Sequence, residues 1–295
     1  MRFPYYPGCT LKSSAVNFEK TALASAEALG VELVELPRWN CCGAVYSLTS
    51  DDLIHHTAPL RVLIRCQEAY KGGLVDEPRL VTLCAMCYNT LKRENAAVRE
   101  DSERLRKLNE FMDKEENYEC GVEVVHFLTI LRNLGLRKIS ECVRQPLDGL
   151  RVAPYYGCLL LRPREVSVDD PENPTIMEDI LEALGAEVVD IPYKAKCCGA
   201  YHGLVGDEVV AELSYRILRQ ASEREADLVA LACPLCEFNL GRQEVVRRRY
   251  RNFKPIPVVY FTQLMALAFG LPMEECGFEM NRIDPRPVLE KKLYR

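Results

Sequence analysis

Residues 26–44 read AEALGVELVELPRWNCCGA, and residues 181–200 read LEALGAEVVDIPYKAKCCGA. The two stretches are copies of one another, and each ends on adjacent cysteines followed by a glycine. Working outward, three more blocks repeat in the same order. Tyr5-Tyr6-Pro7-Gly8-Cys9 is matched by Tyr155-Tyr156-Gly157-Cys158. RLVTLCAMCYNTL from Arg79 is matched by DLVALACPLCEFNL from Asp227. VEVVHFLTILRNLG from Val122 is matched by IPVVYFTQLMALAFG from Ile256. Four blocks in one order mark an internal duplication. Its seam falls at Gln145 to Leu150, where Pro146 and Gly149 make a linker, so we expect domains at 1–147 and 148–295.

Within each half, short β-rich runs alternate with helical segments. In the first half the runs are Arg2–Tyr6, Val31–Leu36, Leu80–Leu83 and Val122–Phe127. A helix is expected from Ser13, its N-cap, to Leu29, with Gly30 as its stop. Asp207 is the expected cap of a helix running through Leu218. The charged, periodic segment 92–119 reads as an exposed helical insertion. The fold class is therefore α/β: two similar lobes, each a small, mostly parallel sheet flanked by helices.

The chain has 295 residues, 48% of them hydrophobic and 27% charged, which suits a globular protein with a sufficient core. A net charge of −5 argues against nucleic acid as the main partner. The N-terminal residues lack the charged and apolar regions of a secretion signal. The most apolar stretch, Val258 to Leu271, is shorter than the roughly 20 residues needed to span a bilayer. We expect no transmembrane segment and a cytoplasmic protein. Fourteen cysteines are then anomalous. In a reducing compartment that density points to metal or redox chemistry rather than disulfides. Adjacent pairs such as Cys41-Cys42 also bridge each other only with strain.

Ten of the fourteen lie at matching places in the repeat: Cys9, Cys41, Cys42, Cys84 and Cys87, then Cys158, Cys197, Cys198, Cys233 and Cys236. The strand reading puts Cys9, Cys158 and both Cys-x-x-Cys pairs just past the carboxyl ends of strands, where ligands of open α/β sheets gather. A Cys-x-x-Cys that opens a helix meets free N–H groups and the positive end of the dipole, which favours thiolates. Gly43 and Gly199 remove a side chain where the backbone must pass close. Structural zinc takes four ligands, as does an ordinary cubane. Five cysteines per half fit neither count: either one is not a ligand, or the cluster is unusual.

The spacing Cys-x(31)-Cys-Cys-Gly…Cys-x-x-Cys, then Cys-x(38)-Cys-Cys-Gly…Cys-x-x-Cys, resembles the duplicated cysteine-rich CCG domain. Over nearly all its length the chain is similar to the B subunit of heterodisulfide reductase. That resemblance implies a noncubane [4Fe-4S] cluster on each five-cysteine set, with a disulfide substrate cleaved between the two clusters. It also implies partners: an iron–sulfur C subunit fed by a flavin-containing A subunit. One departure is the gap of 41 residues from Cys42 to Cys84, against 34 from Cys198 to Cys233. We expect the extra residues in the turn from Lys71-Gly72-Gly73 to Pro78.

Other candidates are weaker. Cys66, Cys120, Cys142 and Cys276 have no partners in the repeat and read as incidental thiols. His202, three residues beyond Gly199, is a candidate proton donor to a departing thiolate. His126 stands where the repeat has Tyr260 and reads as core, whereas His55 and His56 read as surface. Arg247 to Arg251 ends a helix and reads as a solvated helix end, or else as a dock for an acidic electron carrier or an attractor of an anionic substrate. Neither half carries G-x-G-x-x-G after a strand, so no nucleotide cofactor is expected and electrons must come from another polypeptide. The leading expectation is a disulfide-reducing catalytic subunit. An electron-relay subunit without its own substrate, as in lactate, glycerol-3-phosphate or succinate oxidation systems, is the alternative. A zinc-stabilised scaffold is a third.

Overall fold

Eight short strands form two separate sheets in the computed structural model, which describes residues 1–44, 52–204 and 206–294. The first sheet contains β1 (Arg2–Tyr6), β2 (Glu32–Glu35), β3 (Arg79–Thr82) and β4 (Glu123–His126), in the order β2-β1-β3-β4. The second contains β5 (Arg151–Tyr155), β6 (Glu187–Val188), β7 (Leu228–Leu231) and β8 (Val258–Tyr260), in the matching order β6-β5-β7-β8. All pairings are parallel, with Tyr5 opposite Val81 in one sheet and Tyr155 opposite Leu231 in the other. Parallel strands need helical crossovers that cover both faces, so central strands are largely buried, their leading arginines apart. In β7 all four residues are buried.

In the first lobe the helices are α1 (Gly8–Leu11), α2 (Val16–Ala28), α3 (Leu53–Lys71), α4 (Ala85–Glu100), α5 (Ser102–Phe111), α6 (Phe127–Leu134) and α7 (Leu136–Glu141). The second lobe has α8 (Ile176–Ala183), α9 (Asp207–Glu223), α10 (Pro234–Gly241), α11 (Gln243–Arg249), α12 (Phe261–Ala268) and α13 (Arg286–Leu293). Several local expectations shift. The helix expected from Ser13 begins at Val16, because the chain first makes the single turn α1. The Ser13 hydroxyl donates to the Cys9 carbonyl instead of capping. Asp207 is the first residue of α9, after Gly206, and its carboxylate accepts from Arg242 at 2.8 Å. Segment 92–119 is not simply exposed. Its first part continues α4, where Glu94, Asn95 and Val98 are buried, and only Leu108 is buried along α5. His56 is also buried, with Nδ1 at 2.7 Å from Glu94. The longer gap before Cys84 is spread out. Loop 72–78 exceeds its counterpart 224–227, α3 is longer than α9, and the rest lies before α3, partly outside the described residues.

The lobes join by reciprocal helix packing. α2 of the first lies on α12 of the second, and α8 of the second on α6 of the first. Phe18 stacks on Tyr260 with ring centroids 4.3 Å apart, and the hydroxyls of Thr21 and Thr262 meet at 2.8 Å. One buried apolar cluster runs through both lobes, from Phe3 to Leu289. Complete burial of Phe18 alone contributes about 2 kcal/mol.

Candidate metal centre at the seam of two lobes

The carboxyl ends of β1, β3, β5 and β7 each run directly into a cysteine-bearing turn. Cys9 lies in α1 immediately after β1, and Cys158 follows β5. Cys84 and Cys233 are the N-cap residues of α4 and α10, which places Cys87 and Cys236 in the first turns of those helices. The vicinal pairs come in on loops after β2 and β6. A tyrosine at the end of each first strand fastens these loops. The Tyr6 hydroxyl donates to the Asn40 carbonyl at 2.8 Å, and the Tyr155 hydroxyl to the Lys196 carbonyl at 2.7 Å. Each accepting carbonyl immediately precedes a vicinal cysteine pair. These two anchors were not assigned a role from sequence, although the repeated Tyr-Tyr pair was the visible signal.

Each set converges. The sulfurs of Cys42 and Cys87 are 3.6 Å apart, as are those of Cys198 and Cys236. All five thiols of the first set line one cavity of about 560 Å³. In the second set Cys197 is the first cause that raises the Cys158 thiol, and Cys198 and then Cys233 raise the Cys236 thiol, so these sulfurs are close neighbours. The Tyr155 phenol is held protonated first by burial, then by the charge of Cys236, Cys198, Cys158 and Cys197. Tyr6 is held likewise by burial and by Cys87, Cys42, Cys41 and Cys9. The sets also approach one another: Cys233 is the first cause that raises the Cys84 thiol, and Cys84, after Cys236, helps to lower the Cys233 thiol across the seam. Close by, the Tyr201 hydroxyl reaches Met86 Sδ at 3.2 Å.

Sharing of protons among neighbouring sulfurs sets the electrostatics. Cys42 is pulled down to about 3, first by the Cys41 thiol and then by Cys87, while Cys41 is correspondingly raised. Cys197 is pulled down to about 6, first by Cys158, and the Gly199 N–H also donates to its sulfur at 3.3 Å. Cys198 is lowered first by Cys236, and Asn239 Nδ2 lies 3.5 Å from its sulfur. Ready thiolates of this kind are what a thiophilic metal group needs.

Two glycines shape room for such a group. Gly8 has φ +71°, and a Cβ there would sit 3.0 Å from the Cys87 sulfur. Gly157 has φ +70°, and a Cβ would sit 3.1 Å from the Cys236 sulfur. Each set is therefore five thiols with no histidine or carboxylate among them, one more than a structural zinc uses. Among the described residues, no group of three or more His, Cys, Asp and Glu side chains closes around a single metal ion. The donor set suits a larger thiolate-bound group.

The remaining candidates are placed as follows. His202 is exposed on a short 3-10 turn (Ala200–Leu204) and lies close enough to Cys197 to help lower its pKa. His126 is fully buried, its Nε2–H donating to the Leu83 carbonyl at 2.7 Å, in keeping with a core role. Cys66 and Cys276 are buried, and Cys120 and Cys142 partly so. Arg247, Arg248 and Arg249 form the last turn of α11, where Arg249 lies 3.6 Å from Glu212 and Arg248 lies 4.0 Å from Asp207.

A family model for the cysteine-rich domain CCG matches residues 3–92 and again residues 152–241. The B subunit of a ferredoxin/F420H2-dependent CoB-CoM heterodisulfide reductase from Methanosarcina acetivorans is 30% identical over 292 residues, covering 97% of this chain and 95% of that one. This chain belongs to the family of the heterodisulfide reductase B subunit. The same family likeness extends to the membrane anchor subunit of an 8-methylmenaquinol:fumarate reductase from Wolinella succinogenes, 32% identical over 285 residues, 96% of this chain and 97% of that one. A protein from Archaeoglobus profundus, named for its likeness to the same B subunit, is 29% identical, with 99% of both chains covered. Among solved structures, a hypothetical protein from Helicobacter pylori superposes with a TM-score of 0.67 at 14% identity, covering 94% of this chain and 51% of that one. That likeness concerns the fold alone. Among the described residues of this B-subunit relative, no helix is long and apolar enough to cross a membrane.

Proposed function

We propose that the chain is the catalytic iron–sulfur subunit of a heterodisulfide-reductase-like complex, reducing a small disulfide to two thiols or running the reverse. In this reading Cys9, Cys41, Cys42, Cys84 and Cys87 hold one [4Fe-4S] cluster. Cys158, Cys197, Cys198, Cys233 and Cys236 hold a second, and both are of the noncubane type. Once bound, the clusters would supply electrons one at a time. The overall balance is R–S–S–R′ plus two electrons and two protons giving RSH and R′SH. The electrons come from partner proteins of the iron–sulfur C-subunit and flavin-containing A-subunit kinds, working in the cytoplasm. His202 is the proposed proton source, standing on the turn that Tyr201 pins to Met86 of the other lobe. The observation that carries the reading is the approach of two complete five-thiol sets to one another at Cys84 and Cys233, the first set lining a cavity of about 560 Å³ that suits a thiolate-bound group.

A second reading is favoured by one relative. The Wolinella protein belongs, by its name, to a quinol:fumarate reductase. On that precedent the chain would be an electron relay with no substrate of its own. Iron, acid-labile sulfide and zinc, measured on protein purified without oxygen, address the cofactor directly. About eight iron per chain is expected, on the order of four per set. Zinc with almost no iron would sink both redox readings. A disulfide titration followed by EPR then separates catalyst from relay, since only the catalyst changes its spectrum on meeting substrate.

A further inference from the structure

The duplication pairs each residue around the first set with one around the second, and at one buried position the two differ in chemistry. The third residue after the Cys-x-x-Cys is Thr90 in the first lobe and Asn239 in the second. Both are fully buried, and both tie the helix carrying that motif to the loop carrying the vicinal pair. The Thr90 hydroxyl donates to the Ala44 carbonyl at 3.0 Å, and Asn239 Nδ2 donates to the Ala200 carbonyl at 3.2 Å. Each accepting alanine directly follows Cys-Cys-Gly.

A hydroxyl has one proton to give, and Thr90 gives it to that carbonyl. A side-chain amide has two. The second N–H of Asn239 is directed at Cys198, whose carbonyl lies 3.4 Å and whose sulfur lies 3.5 Å from Nδ2. The amide cannot be turned over, since Oδ1 would then face three acceptors. As it stands, Oδ1 is buried without a hydrogen-bond partner among the described residues, in space left by Gly203, where a Cβ would come within 3.1 Å of it. An unpaired buried oxygen is costly, and what its placement secures is an N–H aimed at a cysteine of the second set. The first set has one side-chain contact of a similar kind, with Thr10 Oγ1 3.8 Å from Cys9 Sγ. Cys9 and Cys41 are exposed, however, and draw on water in the same way, whereas Cys158 and Cys197 are half-buried.

We propose that Asn239 sets the reduction potential of the second set: its N–H bond to the Cys198 sulfur favours the reduced, more negative cluster and raises the potential there. This rests on the iron–sulfur reading above. Asn239 is a positioning residue acting through Cys198, and it supplies from within the protein the donor that the first set takes from solvent. Beside a buried sulfur such a bond is stronger than the same bond in water. The electron balance of the reaction is unchanged. What Asn239 alters is how readily the second set accepts its one electron from the partner protein.

The test is a dithionite titration of cluster-loaded protein followed by EPR, on the unaltered chain and on Asn239→Thr, which copies the first lobe. Asn239→Thr should hold the wild-type iron content and shift one of the two midpoints to lower potential. In Cys87→Ser protein, which keeps only the second set, the same change should lower the single midpoint. In Cys236→Ser protein, which keeps only the first, it should leave the midpoint where it was. Should Asn239→Thr fail to fold, Asn239→Leu removes both donors at similar size and reads the same midpoint. Wild-type iron with neither midpoint moved, with a rise, or with the first set's midpoint moved alongside overturns the role given to Asn239. Loss of the second set's iron in both variants assigns Asn239 a structural tie instead and overturns the proposal as well. In each of these outcomes the first set still binds iron and the iron–sulfur reading stands. An unaltered chain that binds no iron overturns that reading itself, and with it this inference.

Discussion

Gly8 and Gly157 are the smallest parts of the site and among the most constrained. Both hold positive φ, and at both a methyl group would press on a cysteine sulfur. Gly8→Ala is expected to destabilise the chain by about 1–2 kcal/mol through left-handed strain alone. It should also lower iron at the first set, read as iron per chain after a chelator challenge. Unchanged iron retention would mean that the space beside Cys87 is not used. His126 gives a residue-scale prediction of another kind. Burial lowers its pKa from 6.5 to about 4, and its neutral ring donates from Nε2 while Nδ1 accepts from the Leu128 N–H. The unfolded chain takes up a proton as pH falls below 6.5, and the folded chain does so only near 4. The stability associated with the neutral ring is thus fully present above pH 6.5 and lost progressively down to about pH 4. Between pH 7.5 and 5 the loss should be about 2 kcal/mol. Denaturant midpoints across that range should flatten in His126→Gln, and an equal slope in both proteins would assign the effect elsewhere.

At the scale of elements, buried ionic groups brace the turns that deliver the cysteines. In the second lobe Lys194 Nζ lies 2.7 Å from Glu178 of α8, which also accepts from the Tyr156 hydroxyl. The Lys194 carbonyl accepts from the N–H groups of Tyr156 and Gly157, so the same residue holds the turn leading into Cys158. The first lobe repeats the theme with different residues: Tyr5 donates to Glu19 of α2, and Lys12 lies 2.8 Å from Glu19. Lys194→Met would leave the Glu178 carboxyl buried without its cation, at a cost of about 3 kcal/mol. Thermal unfolding followed by circular dichroism measures this. A loss under about 1 kcal/mol would show that the carboxyl finds water or simply keeps a proton. Element boundaries were legible where apolar runs and glycine stops agreed, as at Gly30. They shifted where a turn competed with the helix: Ser13 looks like a cap in sequence, but its hydroxyl is committed to the Cys9 carbonyl. His56 looked like surface because its partner Glu94 lies on another helix, 38 residues away.

For the whole molecule, the two-lobe arrangement predicts how the sites fill. Each set is carried by its own sheet, and the sheets share no strand pairing. Cys87→Ser and Cys236→Ser should therefore each reduce iron from about eight to about four per chain, leaving the other set loaded. Loss of all iron in either variant would mean that the sets assemble together through the approach of Cys84 to Cys233. The lobes themselves should stay joined in both variants, because α2 against α12 and α6 against α8 involve none of the ten cysteines.

The duplication, the α/β class, the ten paired cysteines and the family resemblance were all present in the sequence. They depend on local periodicity and on identity between the halves, and both survive in one dimension. The approach of Cys84 to Cys233, the Tyr6 and Tyr155 anchors and the cavity lined by the first set were decided only by the tertiary structure. Each depends on how one lobe turns against the other, or on which carbonyl a hydroxyl reaches. The loop 159–175, which stands where the first lobe has only 10–15, shows the division most plainly. Its extra length could be counted from the sequence, but where that length went was settled by buried leucines and valines and by the reach of Asn89 from the opposite lobe.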